Sequence, residues 1–392
     1  MSAERSQRRS ILVLGGGELE RELVISARRL GMRVVAADRE EDTPAMRVAD
    51  VREVLSLRDG TALKGVVRTY QPDLVVLATG EVEVGTLRQL EEDGTQVVPS
   101  AEVGELLRTP GSLRAMVEEE LGLRIPRSAR ASSEEELHEA CERVGYPCVV
   151  KFAFPASVKG RSLVSGSARV SRAWAFAREE SPGDDPQLVV EEFVDFYAEV
   201  TLFTLRLRDG STRSLEPIAF REEQGERREA WVPSGLPESQ VAEAGEMARI
   251  LTNRLGGSGL FAVDFFVTKE EIVFSEVSAG LHETGILTLI SQDLSEFDLY
   301  LRAILGLPIP ALRSYGPAAA AMILSDREGG TVGTQGVERA LQVETVQLFI
   351  CERGRGDPGR KLGWALASGG TTEEARARAL EAASRVPVDY GA

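Results

Sequence analysis

Histidine and cysteine are scarce in this chain. Its 392 residues include two histidines, His138 and His282, and three cysteines, Cys141, Cys148 and Cys351. Structural zinc sites need several such ligands at short, regular spacings, which excludes a His-based zinc site. The cysteines show neither a metal-binding spacing nor a disulfide framework, and this fits a protein of the reducing cytoplasm.

Long apolar runs and an excess of positive charge are also missing. No apolar stretch reaches the roughly 20 residues of a transmembrane helix. The sequence has 46 Lys and Arg against 62 Asp and Glu, a net charge of −16. This balance disfavours binding to nucleic acid or to an anionic membrane. We therefore expect small-molecule substrates as partners, with any phosphate held in a local basic pocket.

The chain is long enough for several folded parts. At 392 residues it exceeds what one hydrophobic core supports. Strand and helix patterns alternate over the first hundred residues, which predicts an α/β unit with a doubly wound parallel sheet. Longer alternating runs predict an α+β unit next and a small third unit after it. We place the three parts at 1–110, 111–316 and 317–392, with a linker at Pro126–Ser133.

Two carboxylates stand on neighbouring strand-like runs. Asp264 lies in the run Val263–Phe266, and Glu276 lies in the run Val273–Val277. A buried carboxylate needs a charged or hydrogen-bonded partner, and Mg²⁺ prefers carboxylate oxygens shared with water and nucleotide phosphates. The pattern indicates a Mg²⁺ site, and the alternative is a pair of salt-bridged or edge-exposed carboxylates.

Two lysines and two glutamates are arranged as a nucleotide site would need them. Lys151 ends an apolar strand, and Lys159 lies in the small-residue loop 155–162. Ammonium groups on a strand end and on a mobile loop suit nucleotide phosphates. The strand that ends near Glu191 can present backbone groups to an adenine, and Glu199 on the next strand can accept from ribose hydroxyls. Solvated lysines and ordinary strand residues are the alternative.

A glycine-rich turn follows the first strand. Gly15-Gly16-Gly17-Glu18-Leu19-Glu20 opens a helix, where backbone N–H groups and the helix dipole favour an anion. Glu20 stands where a dinucleotide fingerprint has its third glycine. Three interpretations remain open: a nicotinamide site, a tight packing turn, or a site for another small anion.

Taken in order, these segments resemble the ATP-grasp superfamily. Within it the chain is similar to the formate-dependent phosphoribosylglycinamide formyltransferases of purine biosynthesis, from about Ile11 to Val386. The stretches that carry the resemblance are Gly17–Leu19, Asp42–Met46, Gly256–Phe261, Val273–Ser278, Gly285–Glu296, Leu305–Pro308 and Tyr315–Ala319.

The resemblance implies an ATP-grasp architecture of three parts, ATP and Mg²⁺ as cofactors, and a homodimer. It implies a ligase that activates a carboxylate, formate in the family, as an acyl phosphate and transfers it to an amine. The roles it implies for residues of this chain are as follows: metal ligands, Asp264 and Glu276; nucleotide contacts, Lys151, Ser157, Lys159, Gly160, Glu191, Val194 and Glu199; acceptor contacts, Glu18, Leu19, Glu81, Glu283, Arg360 and Lys361; and catalysis, Lys151, Lys159 and Glu283.

The departures from the family pattern cluster in two places. In the phosphate loop Val158 replaces a glycine, which stiffens the backbone, and Pro110 stands at the position of an ATP-contacting arginine. At the acceptor site, the paired family glutamates align with Ala78 and Gly80, with Glu81 and Glu83 out of step. Cys351 stands at the position of an acceptor-contacting lysine.

Three functional hypotheses follow. The first is an ATP-dependent carboxylate–amine ligase with a remodelled acceptor site. The second is the family reaction itself, with Glu81 or Glu83 serving the acceptor. The third is a non-catalytic nucleotide-binding protein, favoured by Val158 and Pro110. His282 is expected to be a positioned structural side chain rather than a base.

Overall fold

A computed structural model describes residues 9–152, 162–180, 186–223, 226–325, 331–332, 334–351, 361–386 and 388–389. The N-terminal part contains β1 (Ser10–Leu14), α1 (Glu18–Arg29), β2 (Arg33–Asp38), α2 (Pro44–Val48), β3 (Val51–Val54), α3 (Gly60–Tyr70), β4 (Leu74–Leu77), α4 (Val84–Glu92), β5 (Val97–Val98), α5 (Ala101–Leu107) and α6 (Pro110–Ala115). Its strands form one parallel sheet in the order β3-β2-β1-β4-β5. This confirms the predicted doubly wound α/β unit.

A four-stranded sheet follows a π-helical turn at Met116–Glu120. Its elements are β6 (Ser128–Ala131), α7 (Glu134–Val144), β7 (Cys148–Phe152), β8 (Ser162–Val164), α8 (Val170–Glu180) and β9 (Leu188–Glu192). The strand order is β6-β9-β7-β8, all antiparallel.

The prediction of a linker over Pro126–Ser133 was wrong, because its middle is strand β6. Ala129 and Ala131 are buried in alternation along this strand. Alanine has a low strand propensity, so this short buried face gives a weak sequence signal.

A nine-stranded sheet forms the centre of the chain. Its first elements are β10 (Ala198–Arg206), β11 (Thr212–Ser214), β12 (Ile218–Glu223), β13 (Glu226–Val232), α9 (Glu238–Leu255), β14 (Gly259–Val267) and β15 (Ile272–Ala279). A 3₁₀ turn at Glu283–Leu287, α10 (Thr288–Ser291) and α11 (Glu296–Leu305) follow. The path through the sheet is β15-β14-β10-β12-β13, with β11 beside β10.

Three of the C-terminal strands that the structure describes continue this sheet. The C-terminal elements are β16 (Ala318–Leu324), β17 (Thr331–Val332), α12 (Thr334–Ala340), β18 (Gln347–Ile350), β19 (Lys361–Ser368), α13 (Thr372–Arg385) and β20 (Val388–Asp389). Strand β16 pairs with β13, and β19 and β18 follow it, while β17 pairs with β20. The predicted third unit therefore adds strands next to β13, close to the site described below.

Local sequence explains where the key helices begin. The Ser133 hydroxyl accepts from the backbone of Glu136 and caps α7, as its position before an acidic first turn predicts. Ser295 and Asp298 form a reciprocal capping box at the start of α11. Within the described ranges, no helix combines the length and apolarity needed to cross a membrane.

Candidate active site

Asp264 and Glu276 face each other across two antiparallel strands. They are register partners of β14 and β15, and Thr201 of β10 is the partner of Asp264 on its other side. Because register partners project to the same face of a sheet, the two carboxylates and the Thr201 hydroxyl point to one side. The sequence had predicted this convergence.

The carboxylate of Asp264 is deeply placed and bonded. The residue is 5% exposed, accepts 2.7 Å from the Thr201 hydroxyl, and accepts from the Arg227 guanidinium. Burial raises the pKa of Asp264, against the opposing effects of Arg227 and Thr201. The salt-bridged alternative thus matches the contacts that Asp264 makes in this structure.

The oxygen donors fit a magnesium ion. Within the described ranges no group of three or more His, Cys, Asp and Glu side chains is placed to hold a metal. Mg²⁺ keeps several waters and takes one or two carboxylates together with substrate phosphates. Two facing carboxylates, Asp264 and Glu276, therefore suit this ion shared with a nucleotide better than a cage made only of protein ligands.

Arg227 is a site residue that the sequence analysis missed. Its guanidinium lies 4.8 Å from the centre of the Phe220 ring and bonds to Asp264. Burial lowers the pKa of Arg227, but Asp264, Glu222, Glu276 and Glu283 outweigh this and leave the pKa raised. The charged run 226–229 is typical of a solvated hairpin. A β-bulge at Arg221/Glu222 alters the pairing of this segment, and no sequence signal marks it.

His282 behaves as expected of a structural side chain. Its Nδ1 lies 2.9 Å from the Thr284 hydroxyl, and its Nε2 lies 3.9 Å from Oδ2 of Asp264. Burial, with a contribution from Arg227, lowers the pKa of His282 to about 3. The imidazole is neutral at physiological pH and does not compensate the charge of Asp264.

The four-stranded sheet carries Lys151 and Glu191, two of the predicted nucleotide residues. The Lys151 ammonium lies 2.6 Å from Glu191, and Arg114 binds the same carboxylate at 3.1 Å. Val194 is half-buried in the connector after β9, and Glu199 on β10 is also half-buried. Glu199 lies two positions before Thr201 and so faces the same side of the sheet.

Several predicted contacts lie outside the described residues. These are Ser157, Lys159 and Gly160 of the phosphate loop, together with Val158, and the acceptor residue Arg360.

The predicted acceptor residues Glu283 and Lys361 are brought together. The Lys361 ammonium donates to Glu283. Burial raises the pKa of Glu283, yet Lys361, His282 and Arg227 leave it lowered. Glu18 and Cys351 belong to the same neighbourhood, since burial and then Glu18 raise the pKa of the Cys351 thiol to about 12. Glu18 and Leu19 open α1, so residues from all three predicted parts meet here.

Glu81 and Glu83 are used differently from each other. Glu81 follows β4, is 37% exposed in its side chain, and pairs with Arg39 at 3.1 Å. Glu83 caps α4 through the N–H groups of Gly85 and Thr86. A capping carboxylate has its oxygens committed to the helix end, so Glu81 is the better placed of the two to meet a ligand.

Known protein families cover most of the chain. The ATP-grasp domain family matches residues 116–297, the ribonucleotide synthetase preATP-grasp domain matches 9–107, and the family described as PurT, C-terminal matches 318–386.

Solved structures share the whole fold. The structure of glycinamide-RNase-transformylase T from Mycobacterium tuberculosis is 29% identical, with a TM-score of 0.80, over 97% of this chain and 100% of the other. A carboxyaminoimidazole ribonucleotide synthase from Aspergillus clavatus, complexed with ATP, has a TM-score of 0.84 at 24% identity, over 97% of this chain and 99% of the other. The second likeness shows the fold alone.

Curated relatives match at higher identity. Formate-dependent phosphoribosylglycinamide formyltransferase of Synechocystis sp. is 42% identical over 97% of both chains. The protein of the same name from Maridesulfovibrio salexigens is 42% identical over 99% of both. This chain therefore belongs to the formate-dependent phosphoribosylglycinamide formyltransferase family of ATP-grasp enzymes.

Proposed function

We propose that this enzyme formylates glycinamide ribonucleotide, using formate and ATP. The observation that carries the proposal is the register that sets Asp264 opposite Glu276, in a chain whose relatives bear the name of this activity over nearly their whole length. Of the hypotheses drawn from the sequence, the family reaction has more support than the remodelled acceptor site.

In the proposed reaction formate attacks the γ-phosphate of ATP, and an acyl phosphate and ADP result. The acceptor amine then attacks the formyl carbon, and phosphate leaves. Asp264 and Glu276 would hold Mg²⁺, which would compensate the negative charge of the phosphates. Lys151, on β7, would add a phosphate contact once nucleotide draws it from Glu191. The protein's work is positioning and charge compensation.

On the acceptor side, the chain's own charges suit an amine. Because the pKa of Glu283 is lowered, its carboxylate stays ionised and is able to orient an amine or to receive its proton. His282, neutral and buried, does not compete for that proton. Lys361 fixes the Glu283 carboxylate and would lend positive charge to a phosphate of the acceptor together with Arg360.

A second candidate is the same activation chemistry with a different amine. The observation in its favour is that Lys361 is bonded to Glu283, while Cys351 is buried at the position where the family resemblance expects a lysine. Both features reduce the positive charge offered to an acceptor phosphate. This candidate keeps the nucleotide half of the site unchanged.

Purified enzyme distinguishes these candidates. The proposed function predicts ADP release that requires formate and glycinamide ribonucleotide together, and rescue by this gene plus formate of a purine auxotroph that lacks both formylating enzymes. ADP release with other acids or amines, and none with this pair, would favour the second candidate. ATP binding without turnover on any substrate would contradict both. The homodimer implied by the resemblance stays a prediction, which light scattering of the purified protein tests.

A further inference from the structure

Arg227 is bonded to Asp264, one of the two carboxylates proposed to hold the metal ion. Its guanidinium donates to Oδ2 of Asp264, packs over the Phe220 ring, and feels the charges of Glu222, Glu276 and Glu283. It thus lies in the field of both proposed metal ligands. A buried carboxylate is costly without a partner, and among the described residues the guanidinium is the charged group bonded to Asp264.

We propose that Arg227 is an internal cation that occupies Asp264 in the metal-free enzyme and that an incoming divalent cation must displace. The inference rests on the metal site of the proposed function and adds that a side chain of the protein competes with the metal for Asp264. Its consequence is that metal alone binds weakly, because binding must first break the pair of Arg227 and Asp264. Nucleotide phosphates supply further ligands to the metal and would therefore favour the metal over Arg227 at Asp264.

The bonding of Arg227 differs from that of a purely structural arginine nearby. Arg221 of β12 donates through Nε and Nη2 to one oxygen of Glu229 on β13, and Arg376 of helix α13 donates through Nε and Nη2 to the other. Arg227 holds Asp264 through Nη2, while its Nε is buried and meets no acceptor within the described ranges. Arg227 therefore uses fewer of its donors on its carboxylate than Arg221 does, as we expect of a group that a metal ion displaces.

Charge compensation also points to Arg227. His282 approaches Asp264 only to 3.9 Å, from Nε2 to Oδ2, which is beyond hydrogen-bonding distance. The Thr201 hydroxyl stabilises the carboxylate without adding charge. Removing the guanidinium would leave Asp264 buried and charged, and a divalent cation would be the group that restores balance.

The test measures Mn²⁺ binding without nucleotide, by electron paramagnetic resonance, in the full-length protein. Arg227→Gln is expected to bind Mn²⁺ at least about tenfold more tightly than the unaltered enzyme. Arg227→Lys, which keeps the charge but loses the fork, is expected to fall between them. Arg221→Gln, the matched control on the neighbouring strand, is expected to leave Mn²⁺ affinity unchanged. If Arg227→Gln does not fold, the comparison of Mn²⁺ affinity between Arg227→Lys and the unaltered enzyme decides. The proposal expects tighter binding by Arg227→Lys.

A second readout is thermal. Without metal, Arg227→Gln is expected to have a lower Tm than the unaltered enzyme. Mn²⁺ is expected to raise the Tm of Arg227→Gln more than that of the unaltered enzyme, because ligand binding to the native state stabilises it. Asp264→Asn separates the two claims. If it leaves Mn²⁺ binding intact, the metal site of the proposed function is wrong. If it abolishes binding while the Arg227 variants bind like the unaltered enzyme, the competition alone is wrong.

Discussion

The proposed nucleotide half and the proposed acceptor half of this site are built in different ways. In the nucleotide half, Thr201, Asp264 and Glu276 lie on three adjacent strands, and ladder register sets them side by side. In the acceptor half, Glu283 and Glu81 lie in segments after strands, and each pairs with a cation from a distant segment of the sequence. A shift of register by one residue would move every side chain of the strand to the other face of the sheet. A residue in a loop, in contrast, can be substituted without moving its neighbours.

This difference explains where the chain departs from its family pattern. The two carboxylates on strands keep their chemical type. Of the departures within the described residues, Ala78 and Gly80 follow strand β4, Cys351 follows β18, and Pro110 is the first residue of α6. Loops tolerate change because they carry fewer packing constraints than the elements they connect. We infer that residues between the strands can change in this chain while the two carboxylates on the strands are retained.

The largest expected effect is on the strand-borne half. Glu276→Gln keeps the shape of the side chain and removes its charge. Turnover is expected to fall by at least about a thousandfold, as for other losses of transition-state charge stabilisation, with Tm nearly unchanged because Glu276 is exposed. Glu270→Gln, in the exposed turn before β15, is the control. Normal turnover with normal Mg²⁺ dependence in Glu276→Gln would end the metal assignment.

The acceptor half is expected to respond in KM. Lys361→Met removes the partner of Glu283 and a positive charge, so KM for the acceptor is expected to rise by about ten- to a hundredfold, with a smaller change in kcat. Lys361→Arg adds a bidentate fork for a phosphate and is expected to lower that KM. Steady-state kinetics with varied acceptor and saturating ATP measures both. An unchanged acceptor KM in both variants would show that Lys361 does not meet the acceptor.

Lys151→Met probes the boundary between the halves. The ammonium bonds to Glu191 at 2.6 Å and is proposed to turn to the phosphates when ATP binds. Loss of one charge-assisted contact is expected to weaken ATP binding by about tenfold, measured by calorimetry, without altering the acceptor KM. Because Arg114 still holds Glu191, the strand end should keep its position. Equal ATP affinity in the variant would place Lys151 outside the phosphate site.

The sequence predicted what depends on the patterning of single segments and on the pairing of strands that are close in sequence. The parallel N-terminal sheet, strand β10 and the convergence of Asp264 with Glu276 follow from apolar patterning and short motifs. Arg227 did not, because its position depends on a bulge in the pairing of β12 with β13 and on a contact with β14. The joining of β16 to β13 is likewise a pairing between distant segments, about which a single strand's pattern carries no information.

Glu296 tests how the segment 282–285, which carries Glu283, is anchored. It is fully buried at the start of α11, and its carboxylate accepts from the backbone N–H of His282 at 3.2 Å. Gly285 of the same loop packs so closely on this carboxylate that a Cβ there would overlap it. Burial, followed by the charge of Glu20, raises the pKa of Glu296 well above its ordinary value, against the bond from His282.

The sign of the pH effect follows from that raised pKa. Between the unfolded pKa of about 4.3 and the higher folded pKa, the native state binds more protons than the unfolded state, so stability falls as pH rises. Glu296→Gln keeps an acceptor for His282 and removes the titration. Its stability relative to the unaltered enzyme is expected to grow by up to about 1.4 kcal/mol per pH unit across this window, measured by urea unfolding from pH 5 to 8.

Glu229→Gln is the matched control for Glu296→Gln. Glu229 is also buried, but Arg221 and Arg376 hold both of its oxygens. Its neutral variant loses charge-assisted bonds and is expected to be less stable than the unaltered enzyme across the same pH range. A Glu296→Gln variant whose relative stability does not change with pH would mean that the loop carrying Glu283 is anchored by an ionised carboxylate. Such a result would contradict the raised pKa of Glu296 and would leave a buried charge beside the backbone of His282.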